Sequence, residues 1–124
     1  MAERQFAYLA GQRYISLTTF RRNGQPVLTP VWFAEGEGKL YVMTRSDSGK
    51  YKRIRNNPQV RVAPCTSRGR VTGPDTLGMA RVLPPEEEAR ARRALARKYW
   101  LVRFPWVWSR KNIFLEIEPR TEEK

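Results

Sequence analysis

The sequence predicts a small protein made mainly of antiparallel β-strands that close into a barrel, with a few flanking helices. Six short segments are rich in β-branched and aromatic residues or alternate apolar with polar residues, and tight turns separate them. The one long helical segment lies between the fifth and the sixth strand, so the regular alternation of strand and helix that builds a parallel sheet is missing. These observations favour a six-stranded antiparallel barrel over a doubly wound sheet.

The first two strands form a predicted hairpin. A short helix is expected over Ala2–Ala10, ahead of the first strand at Arg13–Arg22. The pair Asn23-Gly24 tolerates the positive φ angles of a tight turn, so Gln25–Glu35 is expected to return beside the first strand. Pro30 has no N–H to donate, which indicates an edge strand or a bulge at that point.

The second half of the chain predicts three strands and the long helix. The strands are expected at Gln59–Thr66, Leu77–Leu83 and Asn112–Glu118. The helix is expected to run from about Glu86 to Trp100, because two prolines and three glutamates stand where a helix start favours them. We expect residues 1–124 to form a single domain with a mobile tail from about residue 119.

Composition restricts the possible functions. The 24 basic and 12 acidic residues give a formal charge of +12, which attracts nucleic acid, a membrane surface or a phosphorylated small molecule. The chain has no histidine, which excludes histidine-dependent nucleophilic catalysis and most zinc sites, so we expect no metal site. No apolar run approaches a membrane span, and Cys65 is the single cysteine, so a cytoplasmic protein is expected.

The stretch Lys39–Pro58 joins the third strand, Lys39–Thr44, to a candidate anion site. The strand ends in the polar turn Ser46–Gly49, and the predicted helix after it carries four basic residues: Lys50, Lys52, Arg53 and Arg55. The N–H groups and the dipole of a helix N-terminus favour a negative charge. Because a basic run is often only a solvated face, the local sequence leaves both interpretations open.

The same stretch resembles the cofactor-binding segment of the pyridoxamine 5'-phosphate oxidase superfamily. In that segment a strand ends in Thr and is followed by Ser-x-Lys and then Asn-Pro, to which Thr44, Ser48, Lys50 and Asn57-Pro58 correspond. The resemblance implies a split β-barrel that forms a homodimer, with two cofactors in clefts between the subunits.

Further segments are similar to one branch of that superfamily, the flavin- and deazaflavin-dependent oxidoreductases that use coenzyme F420. They are Thr29–Phe33 and three motifs between residues 61 and 74. The resemblance covers residues from about 13 to 83 and implies a cofactor site on these elements, with Lys50 on the phosphate. The residues it implies are Thr29, Pro30, Val31, Trp32, Thr44, Ser48, Lys50, Lys52 and Arg53.

The resemblance implies hydride transfer between coenzyme F420 and an unsaturated or conjugated acceptor. Leu28 and Phe33 stand where the FMN oxidases have basic residues, which favours the deazaflavin. Its carboxylate-rich tail would also suit the excess positive charge, and Arg68 and Arg70 would either bind that tail or only solvate their loop. FMN in the same cleft is the alternative. The resemblance implies no catalytic side chain, and water, Tyr41 or an arginine would supply the proton.

A barrel that binds single-stranded nucleic acid is the alternative from another functional class. The basic residues are concentrated in a turn and a helix, and do not alternate with aromatic residues along a strand, so nucleic acid is the less favoured partner. The late aromatic residues are expected to pack in the core or in a dimer interface. They are Trp100, Phe104, Trp106 and Trp108.

Overall fold

A curled antiparallel sheet of seven strands, with two α-helices and two 3-10 turns, makes up the described residues, 5–98 and 112–120, of the computed structural model. The strands are β1 (Tyr14–Phe20), β2 (Pro26–Trp32), β3 (Ala34–Gly36), β4 (Lys39–Arg45), β5 (Gln59–Cys65), β6 (Thr76–Val82) and β7 (Asn112–Pro119). The helices are α1 (Gly49–Asn56) and α2 (Glu88–Lys98), and the 3-10 turns cover Ala7–Leu9 and Pro85–Glu87. The order in the sheet is β2-β1-β5-β6-β7-β4-β3.

The predicted antiparallel barrel is confirmed, but the prediction of six strands is wrong. The expected strand Gln25–Glu35 is two strands, because the chain changes its pairing partner at Phe33: β2 pairs with β1, and β3 pairs with β4. Since β2 and β3 stand at opposite ends of the sheet order, Phe33 joins the two edges and brings them together. Phe33 is fully buried at this junction, and Pro30 lies on an edge strand as expected.

The barrel interior is filled by aliphatic side chains that alternate along the strands. Ile15 and Leu17 of β1 meet Leu115 and Ile117 of β7 in this core, and α1 adds Ile54. The predicted inward face of the last strand is therefore confirmed. Near the N-terminus, Phe6 and Leu9 also belong to the core, where the described residues form a 3-10 turn in place of the expected helix.

Helix α2 packs on the outer face of the sheet, over β3, β4 and β7. Its buried residues are Ala91, Ala94 and Leu95, which contact a second apolar cluster that includes Tyr41 and Phe114. The expected acidic start is present in the 3-10 turn and in the first turn of α2. Of the helices in the described ranges, none is long and apolar enough to cross a membrane. The late tryptophans and residues 121–124 of the tail expected from about residue 119 lie outside these ranges, whereas Pro119 is the last residue of β7.

Candidate functional site

The turn after β4 is held by its own side chains. Ser48 is the N-cap of α1, and its hydroxyl oxygen accepts a hydrogen bond from the N–H of Tyr51 at 3.2 Å. The same oxygen lies 3.3 Å from the hydroxyl of Thr44 at the end of β4. Arg45 donates two hydrogen bonds to the carboxylate of Asp47, at 3.0 and 3.1 Å. Because serine is a favoured N-cap, the start of the helix follows from local sequence.

A cleft of about 240 Å³ opens beside this turn, where the edge strand β2 passes β4 without being its neighbour in the sheet order. The two strands, the start of α1 and the end of α2 contribute its walls. We name it the β2–β4 cleft, and its lining residues are Pro30, Val31, Trp32, Met43, Thr44, Lys50 and Leu95. The cleft thus brings together residues from four elements that are separated in sequence.

Lys50 is the cation of the cleft. Its side chain is half-buried, and burial together with the nearby charge of Arg53 lowers the pKa of its ammonium group. Within the described part of the chain, no carboxylate lies within ion-pair distance of Lys50. A partly desolvated cation without an acidic partner is favourable for an anionic ligand group, which would restore the lost solvation.

Arg53 adds a second positive charge near Lys50. Its Nε donates a hydrogen bond to the hydroxyl of Thr19 at 2.7 Å, and burial followed by the charge of Arg21 lowers its pKa. The guanidinium occupies the space that a side chain at position 49 would take, because a Cβ added to Gly49 would stand 2.8 Å from Nη1 of Arg53. Glycine at the start of α1 therefore leaves room for this arginine.

The structure brings part of the predicted site together. Pro30, Val31, Trp32, Thr44 and Lys50 all line the cleft. The other predicted residues stand outside its lining: Ser48 contacts Thr44, Arg53 contacts Thr19, Thr29 is half-buried on β2, and Lys52 is exposed on α1. Sequence reasoning missed Met43 and Leu95, because no local pattern shows that α2 packs against β4.

A second polar cluster, which the sequence did not reveal, lies under α2. Glu116 is 1% exposed, and its carboxylate accepts hydrogen bonds from Tyr41, Arg81 and Arg90 at 3.0, 3.1 and 2.9 Å. Burial opposes ionisation, but the bonds from Arg90, Arg81 and Tyr41 outweigh it and lower the pKa of Glu116. Burial and the bond to Glu116 raise the pKa of Tyr41, which does not line the β2–β4 cleft.

Comparison with known proteins gives one family and one fold. The profile of a family described as pyridoxamine 5'-phosphate oxidase matches residues 1–123. The chain is similar to HutZ, the heme storage protein of Vibrio cholerae, with 10% identity, a TM-score of 0.75, and coverage of 94% of this chain and 87% of that one.

Two other solved structures are similar over most of their length. A Listeria innocua protein provisionally named a pyridoxamine 5'-phosphate oxidase has 18% identity and a TM-score of 0.70, over 97% of this chain and 94% of that one. General Stress Protein 26 of Bacillus anthracis has 24% identity and a TM-score of 0.65, over 94% and 88%. At these sequence identities the similarity supports a shared fold and nothing further. No curated protein matches the chain significantly in sequence.

Proposed function

The chain belongs to the pyridoxamine 5'-phosphate oxidase family, and on that premise we propose that it is an oxidoreductase with a flavin-type cofactor in the β2–β4 cleft. The cofactor we favour is coenzyme F420, with hydride transfer to or from an unsaturated or conjugated organic acceptor. One observation carries this proposal. Lys50, which is half-buried and has no carboxylate partner in the described chain, shares the cleft with Thr44 and with the strand segment Pro30–Trp32.

The residues around Lys50 fit the phosphate end of such a cofactor. The hydroxyls of Thr44 and Ser48 share one hydrogen bond with each other, so one of their two hydrogens is left for a ligand oxygen. Ser48 keeps its cap on α1 in that arrangement, because the cap uses the oxygen as an acceptor. Lys50 then adds a charge-assisted bond, which is stronger than a neutral one.

The remaining walls fit an aromatic ring system. Val31, Trp32, Met43 and Leu95 all belong to the lining of the cleft, and apolar residues of this kind exclude water from a bound ring. The cofactor supplies the hydride chemistry when bound, while the chain binds the reactants, orients them and excludes water from them. Among the described lining residues, Lys50 is the one that carries an acidic or basic side chain. Since Tyr41 lies elsewhere, we expect solvent water to provide the product proton.

A second copy of the chain is expected to complete the site. The 240 Å³ of the cleft is below the roughly 300 to 1,000 Å³ of typical small-molecule sites. Large apolar side chains are also exposed: Trp32 of the cleft lining is 41% exposed, Leu28 on the same strand 55%, and Val71, which pairs with Cys65 at the end of β5, 44%. Exposed apolar surface around an incomplete cleft is typical of an interface, so we propose a homodimer with the cofactor between the subunits.

FMN is the second candidate for the cleft, because the residues that would bind the phosphate suit either cofactor. Titrating the purified protein with each cofactor and following ring fluorescence separates the two. We expect F420 to bind at micromolar concentration or below, whereas tight binding of FMN with no binding of F420 would assign the cleft to FMN. A heme held through histidine cannot form in this chain, because the sequence has no histidine.

Replacing Lys50 tests the site itself. We expect Lys50→Ala to weaken cofactor binding by roughly 1.5 to 3 kcal/mol, the range for hydrogen bonds to charged groups. Arg55→Ala is the matched control, since Arg55 is exposed on the same helix, packs over the ring of Tyr51 and does not line the cleft. Equal affinity of the wild type and Lys50→Ala would place the phosphate elsewhere.

A further inference from the structure

A smaller cleft of about 130 Å³ lies on the other flank of α2, between this helix and the β3–β4 hairpin. We name it the α2–β3 cleft, and its lining residues are Gly36, Glu37, Tyr41, Arg90, Arg93, Ala94 and Arg97. It shares no lining residue with the β2–β4 cleft. A ligand there would therefore occupy a site separate from the proposed cofactor site.

Three arginines of α2 face this cleft at spacings of three and four residues, which places them on one side of the helix. Arg90 is fixed, because its guanidinium contacts Glu116 at 2.9 Å and Glu87 at 2.8 Å. Arg93 and Arg97 are exposed, and the described part of the chain offers neither of them a carboxylate within ion-pair distance.

Without a bound anion, the pair Arg93 and Arg97 is expected to lower the stability of α2. Like charges four residues apart on a helix repel each other, and the neighbouring charge of Arg90 adds to this repulsion. An anion bound between the two guanidinium groups would reverse the sign of that interaction. Arginine forks match the oxygens of phosphate with two parallel hydrogen bonds each, which a rounder or smaller anion such as chloride cannot accept.

We propose that the α2–β3 cleft binds a phosphate-type oxyanion between Arg93 and Arg97, with Arg90 as a fixed third cation. Inorganic phosphate and the phosphoryl group of a small phosphomonoester share this chemistry. The volume of the cleft suits the group itself and leaves any larger attached part outside. The site is independent of the cofactor assignment, since it uses different residues.

Glu37 allows a test in which a substitution is expected to strengthen oxyanion binding. It stands in the tight turn between β3 and β4, with φ 55, and it lines the same cleft as the arginines. Its carboxylate repels an incoming anion and attracts the same guanidinium groups. Removing this charge with Glu37→Gln should therefore tighten oxyanion binding. Most substitutions of a lining residue have the opposite effect and weaken ligand binding.

The experiment uses the full chain carrying Lys50→Ala, so that the β2–β4 cleft makes little contribution. Inorganic phosphate or methyl phosphate is titrated at constant ionic strength against chloride, and the arginine Nε–Hε resonances are followed by NMR. We expect saturable shifts for Arg93 and Arg97, with both probes if the phosphoryl group is recognised. If phosphate shifts them and methyl phosphate does not, the cleft takes the free ion only.

Variants then decide the assignment. Binding by the variants is followed through the Nε–Hε resonance of Arg90, which lines the same cleft and is kept in all of them. Arg93→Ala with Arg97→Ala should weaken binding by about tenfold or more, Glu37→Gln should tighten it, and Arg55→Ala should leave it unchanged. If the double alanine variant does not fold, Arg93→Lys with Arg97→Lys keeps the charge, removes the forks and should still weaken binding. Shifts that chloride reproduces, or that never saturate, would overturn the inference, as would weaker binding in Glu37→Gln.

Discussion

The buried Glu116 and the half-buried Lys50 have opposite environments. Glu116 is saturated with donors from three side chains and has a lowered pKa, whereas Lys50 has a lowered pKa and no acidic partner among the described residues. Burying a charge costs free energy unless hydrogen bonds or an opposite charge compensate it. Glu116 is therefore expected to stabilise the fold in which it lies. Lys50 is expected to destabilise the free protein and to gain its partner from a ligand.

Lys50→Gln should separate stability from binding. Because the folded pKa of Lys50 lies below its unfolded value, the unfolded chain holds more protons between the two pKa values, and the free energy of unfolding rises with pH there. Below that window the cost of the charge is fully present. The variant should therefore be more stable than wild type at pH 7, with a smaller difference near pH 11, and should bind a phosphate-bearing cofactor less well. Urea unfolding at both pH values measures this, and a less stable variant at pH 7 would mean that Lys50 has a native partner.

Glu116→Gln should lower stability, since it removes a charge to which Arg81 and Arg90 donate. We expect a loss of about 2 kcal/mol or more at pH 7, because both guanidinium groups lose a charged acceptor. The lowered pKa of Glu116 means that its contribution is present above the unfolded pKa and is lost as pH falls through the folded value. Unfolding of wild type and variant should therefore converge in acid.

Glu118→Gln is the control for that comparison. Glu118 is exposed on the same strand and pairs only with Lys39, at 3.3 Å, among the described residues. Exposed ion pairs contribute about 0 to 1 kcal/mol, so this variant should unfold close to wild type. A loss as large as that of Glu116→Gln would show that the burial of Glu116 is not what matters.

Among the elements, α1 combines a structural task and a candidate binding task in its first turn. Ser48 caps the helix and contacts Thr44 of the cleft, while Gly49 leaves room for the guanidinium of Arg53. The helix is short and has one fully buried residue, Ile54, so its position depends strongly on the cap and on the contact from Arg53 to Thr19. The cleft should consequently be sensitive to changes that leave the sheet intact.

Two substitutions of Ser48 separate these tasks. Ser48→Ala removes the cap and should cost about 1 kcal/mol of stability. Ser48→Asp is also a good N-cap and should keep the stability, but its negative charge beside Thr44 should weaken binding of a phosphate-bearing cofactor. Thermal unfolding and cofactor titration of both variants test this. Tight cofactor binding by Ser48→Asp would place the phosphate away from the N-terminus of α1.

The sequence predicted most elements within a few residues, because their boundaries are set by local chemistry such as the Asn23-Gly24 turn and the Ser48 cap. The break at Phe33 was missed, since the apolar pattern of Gln25–Glu35 continues through it and only closure of the sheet interrupts the pairing. The role of Glu116 was missed for a similar reason. Strand alternation places it outward, where α2 covers it.

At the scale of the whole molecule, one chain supplies a cleft that we propose a second copy completes. The sheet closes through a covalent junction at Phe33 and not through hydrogen bonds between β2 and β4, which leaves the β2–β4 cleft open at this seam. The outer face of β2 and β1 carries the exposed Leu28 and Trp32, with the ring of Tyr14 6.5 Å from that of Trp32. This face suits contact with a second copy.

Leu28→Asp should therefore dissociate the proposed homodimer. A buried carboxylate in an apolar interface is costly, while Leu28 is exposed in one chain, so the folded protomer should lose little stability. Sedimentation at micromolar concentration should give a dimer for wild type and a monomer for the variant, with weaker cofactor binding in the monomer. Arg22→Asp is the control, because Arg22 is an exposed turn residue, and this variant should remain dimeric. Val82→Asp would not serve, because Val82 packs against the core. A wild type that sediments as a monomer would contradict the assembly.

The place of β7 in the sheet has a consequence for synthesis on the ribosome. This strand is last in chain order, yet it pairs with β6 on one side and with β4 on the other. Until it emerges, the nascent sheet has two additional free edges, at β4 and β6, whose unpaired backbone groups can pair with other chains. Stable structure is thus expected only after almost the whole domain has left the exit tunnel, and a chain arrested before residue 112 should depend on chaperones to stay in solution.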